Sequence, residues 1–426
     1  MQFRRPVAAI SLVATTLVLA ACGGGGGGGG GGSSSSSGSL SESDAKNPKG
    51  NISWCIGKDT TGAFAAMVKK FNDSHQDAKV KLIELPTSAD DQRAQQVQRL
   101  RAKSSECDVL GIDTIWTAEY ASHDWIKDVT DVMNERKGAF IGSTVDSAKY
   151  QGKYWAIPFN TNAGFLYYRD DKVHATPKTW QQVYSDAKSD GGLVYQGARY
   201  EGLTVNFLEL LYSAGGKAIS SDGKKATIDS PQAKEVLQFM QNGVKDGAVS
   251  KSVSTYMEEE SRRSFEAGKA ALQRQWPYAY ALANQSPIKG KFKITTLPGW
   301  KDNPGGGVIG GYNLAINNYS KNPGTALAFA DYVTQPAQQI YMASKTTLPP
   351  VLSSTYDDAA VKKALPFAGE LRKAVAQASP RPISPVYPQI SEAIYDNVYA
   401  ALWSGKSVDS ALQTANNQIN QALKQF

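Results

Sequence analysis

The sequence predicts an α/β protein of two lobes. Three observations carry that expectation. Strands and helices alternate from residue 51, and the alternation resumes after residue 155. About 375 residues remain once an N-terminal leader and a Gly/Ser tract are set aside, more than one hydrophobic core usually supports. Such alternation implies a parallel sheet covered by helices, with ligands bound at the carboxyl ends of its strands.

The first block reads as a strand over 52–56 and a helix over 61–74, with Phe64, Met67, Val68 and Phe71 at helical spacing. A strand over 80–85 ends at Pro86, a charged helix over 89–103 carries Val97 and Leu100, and a third strand covers 109–112. The strand ends present Lys58 and Asp59, Pro86 and Thr87, then Asp113, Thr114, Ile115 and Trp116. The second block holds a strand over 165–169, a helix over 179–188, an apolar helix over 206–214 and an amphipathic helix over 231–246. A helix over 258–267 stops at Gly268, and a short strand over 270–273 leads into Trp276, Pro277 and Tyr278. The Gly/Pro-rich stretch 299–311 reads as a crossing between lobes. A strand over 313–316 follows, then a helix over 323–333 with Pro in its first turn, and 336–426 is mostly helical. There is no internal repeat.

Ahead of this body, Arg4 and Arg5 precede an apolar run over 7–21, long enough for a signal sequence and short for a bilayer span. Small residues stand just before Cys22, and ten glycines follow it. The pattern resembles the lipobox of bacterial lipoproteins, which implies removal of residues 1–21 and a lipid on Cys22. Residues 22–50 are expected to form a disordered tether with an end-to-end distance of roughly 30 Å. No apolar run of 18 residues occurs downstream.

Arg4 and Arg5 account for two units of the net charge of +7. The remaining acidic and basic residues are interspersed without a basic stripe, which argues against nucleic acid. Cys55 lies in the first strand and Cys107 just before the third, so the two either form a disulfide or stay as buried free thiols. The chain has no CxxC and no Cys/His cluster, so neither a metal nor a cofactor is expected.

Aromatic residues cluster near polar ones at strand ends: Trp116, Trp155, Trp276, Tyr278 and Trp300 all lie within three residues of Asp, Asn, Lys, Pro or Gly. Flat rings beside carboxylates and amides suit a pyranose, whose C–H face stacks while its hydroxyls hydrogen-bond.

From Ile52 to Phe426 the sequence resembles the family-1 solute-binding lipoproteins of ABC sugar importers, closest to their trehalose/maltose-binding branch. The resemblance rests on Asp113 to Glu119, on Pro158 to Asn162 with Leu166 to Arg169, and on Glu201-Gly202-Leu203. It rests further on Glu258 to Gly268 with Arg274 to Tyr278, on Gly310 to Asn313, and on Arg381-Pro382. It implies a periplasmic-binding-protein-like fold of type II topology, two α/β lobes on a hinge. Lobe 1 would take 51–161 and a return segment, 307–347; lobe 2 would take 162–306 and most of 348–426. It also implies a monomer on the extracellular face of the cytoplasmic membrane, delivering an α-glucoside or gluco-oligosaccharide to permease subunits.

The same resemblance assigns roles. Asp113 binds hydroxyls from lobe 1, and Asn162 or Asn160 gives an amide at the crossover. Glu258 bonds from lobe 2, Trp276 is the stacking platform, and Tyr278 adds a contact. Gly310 and Gly311 admit the ligand to backbone, and Arg381 clamps hydroxyls. Asp59 and Trp116 complete the expected lining. Plainer readings stand beside these: Asp113 as a helix cap, Glu258 on a solvated helix face, Arg381 paired with a carboxylate, the glycines as a turn.

The rival class is a secreted glycoside hydrolase built on Asp113, Glu201 and Glu258. There is no hydrolase signature and no nucleophile elbow, and His75, His123 and His174 fall in no recognisable Ser/His/Asp or Cys/His catalytic motif, so a binder is expected and not an enzyme.

Overall fold

A computed structural model describes residues 38–59 and 61–425. The expected signal sequence, Cys22 and the tether up to residue 37 lie outside the described residues. The strands in chain order are β1 (Gly50–Gly57), β2 (Ala78–Leu85), β3 (Val109–Asp113), β4 (Lys149–Tyr150), β5 (Lys153–Tyr154), β6 (Ile157–Asn162), β7 (Phe165–Arg169), β8 (Leu193–Val194), β9 (Leu272–Gln275), β10 (Phe292–Thr296) and β11 (Gly310–Ile316).

The first sheet has the order β2-β1-β3-β11-β6. β1 runs parallel to β2 and β3, as the alternation implies. β11 is antiparallel to both β3 and β6, so the sheet is mixed rather than all parallel. The reason is topological: β11 enters this sheet from the second lobe, not through a local crossover helix.

Period-two alternation assigns the two faces of this sheet. Ile52, Trp54 and Ile56 pack with Phe64, Met67 and Phe71 of the helix Ala63–Ser74, while Cys55, Leu110 and Ile112 pack with Leu100 and Tyr120 on the other side. Gly111 is required here, because a Cβ would lie 2.6 Å from the Ile56 side chain. The cysteine alternative resolves as a disulfide between Cys55 and Cys107.

The second sheet has the order β10-β7-β9-β8. The helices Glu201–Ser213, Pro231–Lys245, Tyr387–Trp403 and Val408–Leu423 contribute to its apolar core. The helix expected from residue 206 begins at Glu201. Gly202 masks that start in the sequence; it is glycine because a Cβ there would lie 2.3 Å from the Tyr200 hydroxyl. The strand expected over 270–273 is shifted to Leu272–Gln275. Its polar end is buried because Glu209 and Gln196 satisfy Arg274, and Ser261 accepts from Gln275.

The tether expected to reach residue 50 is already folded from residue 39. The short helix Glu42–Ala45 packs on the first lobe, with Leu40 and Ala45 against its core. The Leu40 amide donates to the Asp128 carbonyl at 2.9 Å, and the Lys49 amide to Thr325 Oγ1 at 2.8 Å. Leu40 and Ala45 supply apolar side chains, which the Gly/Ser composition before them does not contain. Among the described residues no helix is long and apolar enough to cross a membrane.

Candidate functional site

The site is assembled where the carboxyl end of β3 meets the amino end of β11. Asp113 pairs in register with Tyr312, Asn160 with Tyr312, and Asn162 with Gly310. Gly311 has φ +116, and a Cβ there would lie 2.3 Å from the Asn160 carbonyl oxygen. No other residue fits that combination of handedness and close approach. Asn160 is 3 % exposed, and its Oδ1 accepts from the Tyr312 amide at 3.1 Å, beside a register shift between Tyr312 and Asn313. Its side-chain oxygen is spent on the strand. Asn162 differs: its Oδ1 is buried and has no partner among the described residues.

The second lobe supplies the facing wall. Trp276 follows β9 and is half-buried. Below its ring lies the Arg274 guanidinium, 3.9 Å from the ring centroid. Arg274 is itself bound through Nε to Glu209 Oε2 at 2.7 Å and through Nη2 to Glu209 Oε1 at 2.5 Å. A Cβ on Gly310 would lie 3.3 Å from the edge of the Trp276 ring, so that glycine sets how closely strand and platform approach.

Glu258 opens the helix Glu258–Glu266. Burial raises its carboxyl above the ordinary range, against the opposing pull of the Tyr200 hydroxyl and Arg274. The neighbouring Glu259 is not a free surface charge, since the Tyr278 hydroxyl donates to its Oε1 at 2.8 Å and Arg262 pairs with it at 2.6 Å. Tyr278 therefore enters the site already bonded through its oxygen.

Arg381 pairs with two carboxylates. It is 4 % exposed. Its Nη2 donates to Asp113 Oδ1 at 2.7 Å and to Thr114 Oγ1 at 3.2 Å, and its Nη1 donates to Glu201 Oε1 at 2.8 Å. The fork joins a strand end of one sheet to a helix start beside the other, the carboxylate pairing that stood as its plainer reading, and its buried Nε has no partner among the described residues. Glu201 also accepts from Tyr387 at 2.7 Å and Ser391 at 2.5 Å. Burial pushes its carboxyl up, and Arg381 and these hydroxyls oppose that. A second bond crosses at the same place, from the Glu201 amide to Asp90 Oδ2 at 3.4 Å.

Two expected residues fall outside this arrangement. Trp116 is 2 % exposed and stacks on Tyr120 in the core of the first lobe. Asp59 is committed to the start of the next helix: Oδ1 accepts from the Thr61 amide at 2.8 Å and Oδ2 from the Phe64 amide at 2.9 Å. Both stand at strand ends in the sequence, where a cap or a core ring reads the same as a ligand contact. Conversely, Tyr312, Tyr200, Glu201 and Glu209 belong to the site or its support and were not singled out as lining residues. The first and third sat inside motifs already noted, Gly310 to Asn313 and Glu201-Gly202-Leu203. Nothing in the sequence distinguishes Glu209, in an apolar helix sixty-five residues from Arg274.

The bacterial extracellular solute-binding protein family matches residues 57–340. A probable ABC transporter-binding protein of Deinococcus radiodurans is 35% identical over 80% of this chain and 86% of its own length. Among solved structures, maltose-bound MalE3 of T. maritima is 33% identical, with a TM-score of 0.82 over 87% of this chain and 99% of that one. The GacH receptor of Streptomyces glaucescens, solved unliganded and with acarbose, shares the fold at 20% identity, with a TM-score of 0.78 over 89% of this chain and 99% of that one. The chain belongs to the bacterial extracellular solute-binding protein family and has its two-lobed α/β fold.

Proposed function

We propose that this solute-binding protein captures a neutral, hydroxyl-rich solute between its lobes, an α-glucoside such as maltose or trehalose or a short gluco-oligosaccharide. It delivers that solute to the membrane subunits of an ABC importer. The observation that carries the reading is the unpartnered Asn162 Oδ1, which shares the surroundings of Gly310 with the half-buried Trp276, in a lobe wall that also presents the half-buried Glu258. The group pairs a flat apolar ring with acceptors that need donors, and a pyranose supplies both its C–H face and its hydroxyls. All bonds given to Asp113 fall on Oδ1, which leaves Oδ2 for a further donor. The likeness to a maltose-bound structure at 33% identity supports the sugar class. The relative described as a probable ABC transporter-binding protein supports delivery to an importer.

Retention at the extracellular membrane face by a lipid on Cys22 belongs to the same proposal and rests on the sequence pattern. So do the monomeric state and the division of lobes at residues 161, 306 and 347. Hydrolysis is the weaker reading, because Asp113 and Glu201 share one guanidinium and do not form a free acid and base pair.

The test is a thermal-shift series on residues 38–426 with maltose, trehalose, maltotriose and sucrose, followed by an assay for released glucose. A rise in melting temperature with an α-glucoside and no release is expected, because a ligand that binds only the folded state stabilises it by mass action. No shift with any of the four would overturn the ligand class. Released glucose would overturn the binding role.

A further inference from the structure

We propose that the buried Glu209–Arg274 pair is a positioning device that fixes the plane of Trp276 and ties it to the crossing strand through Gly164. The proposal rests on the reading of Trp276 as the ligand platform.

Both members of the pair are out of solvent, at 0 % for the Glu209 side chain and 1 % for Arg274. A fully buried ion pair is weak evidence for stability, because desolvation consumes most of its attraction, so its geometry demands another reason. The geometry supplies one. The guanidinium is held by Glu209 on two nitrogens and by Gln196 Oε1 on the third at 3.1 Å, so it has no freedom to rotate. A planar cation fixed in this way and lying 3.9 Å from a ring centroid favours one orientation of that ring. The opposite edge is set by Gly310. The ring is therefore located by the pair below and the strand beside it.

Gly164 supplies the link to the crossing. It lies in the two-residue connection between β6 and β7, where the chain passes from the first sheet to the second. A Cβ on Gly164 would stand 2.5 Å from Glu209 Oε1 and 2.7 Å from Arg274 Nη2. Glycine at that position lets the crossing segment rest directly on the ion pair. The same contact that sets the crossing thus sets the platform, so a ligand stacking on Trp276 is read by a ring whose tilt follows the hinge.

The test uses Glu209→Gln with Arg274→Met, which removes both charges together and leaves no unpaired ion in the interior. The Trp276 signal is isolated as the near-UV circular-dichroism difference between the parent and Trp276→Phe. The expected result is native far-UV circular dichroism, loss of the Trp276 near-UV band and about a tenfold weaker affinity for maltose. An unchanged band, or an unchanged affinity where Trp276→Phe itself weakens binding, would overturn the positioning role. If the double variant does not fold, Gly164→Ala asks the same question with a single methyl. It is expected to shift the Trp276 band and to weaken maltose binding several-fold, and a parental band in that variant would overturn the proposal. If the parent does not bind maltose, the ligand reading fails while the near-UV band still decides the positioning role.

Discussion

Asp113 Oδ1 lies 2.7 Å from Arg381 Nη2, and the same guanidinium reaches Glu201 Oε1 at 2.8 Å. One buried cation therefore bridges a carboxylate at a strand end of the first sheet and a carboxylate at a helix start beside the second.

Replacing Arg381 by Met leaves Asp113 and Glu201 without their counter-ion in a site where Glu201 is almost wholly buried. Breaking such a bridge from one side costs about 3–5 kcal/mol. Urea unfolding of Arg381→Met is expected to show a loss of that order. A loss under about 1 kcal/mol would mean that the bridge is solvated and carries little.

Trp276→Ala is expected to weaken maltose binding at least tenfold, about 1.4 kcal/mol, while leaving the far-UV spectrum unchanged. The ring is half-buried against Arg274 and Gly310, so its removal strips the platform without opening the main core. Calorimetry with unchanged affinity would remove Trp276 from the binding site.

Burial holds the Glu258 carboxyl above its usual 4.5, against the pull of the Tyr200 hydroxyl and the Arg274 charge, while the Glu259 charge adds to the rise. A ligand hydroxyl donating to Glu258 favours the carboxylate, so affinity rises with pH through the raised value and levels off above it. The sign for the empty protein is opposite: this carboxyl's contribution to stability is full below 4.5 and is lost as pH rises through its folded value. Maltose titrations across pH 4 to 7 are expected to show weaker binding at the acid end, with Glu258→Gln flattening the profile. An identical slope in that variant would assign the dependence elsewhere.

The disulfide Cys55–Cys107 closes a loop across 52 residues of sequence and ties β1 to the approach of β3. Loop-closure entropy for that length is worth about 4 kcal/mol. Cys55→Ala with Cys107→Ala is expected to lower unfolding free energy by 2–4 kcal/mol on that scale, and reduction of the parent is expected to match it. Equal stability with and without the bridge would show that the strand pair alone fixes this region.

Much of the fold was legible because it is written in local periodicity. Phe64, Met67, Val68 and Phe71 recur at helical spacing and are buried on one face of their helix, and the strand with Trp54 and Cys55 sends alternate residues to two cores. The motifs around Asp113, Trp276 and Gly310 pointed to the candidate site for the same reason: strand ends, glycines and isolated tryptophans are local signals. Arg381 was legible as important but its partners were not, because a sequence shows a cation but not the two carboxylates that fold around it.

The sequence by itself determined the alternating α/β class, the places of the first three strands along the chain, the family and the place of Trp276 beside a polar strand end. Only the tertiary structure decided that Arg381 bridges Asp113 and Glu201, that the Asn160 oxygen bonds within its sheet while that of Asn162 has no partner among the described residues, that Trp116 is core and that Glu209 holds Arg274 against the Trp276 ring. Each of these depends on partners far apart in the chain, 268 residues for Asp113 and Arg381 and 65 for Glu209 and Arg274. Periodicity and capping act over a few residues, whereas burial and ion pairing are set by whichever groups the completed fold brings within hydrogen-bond distance.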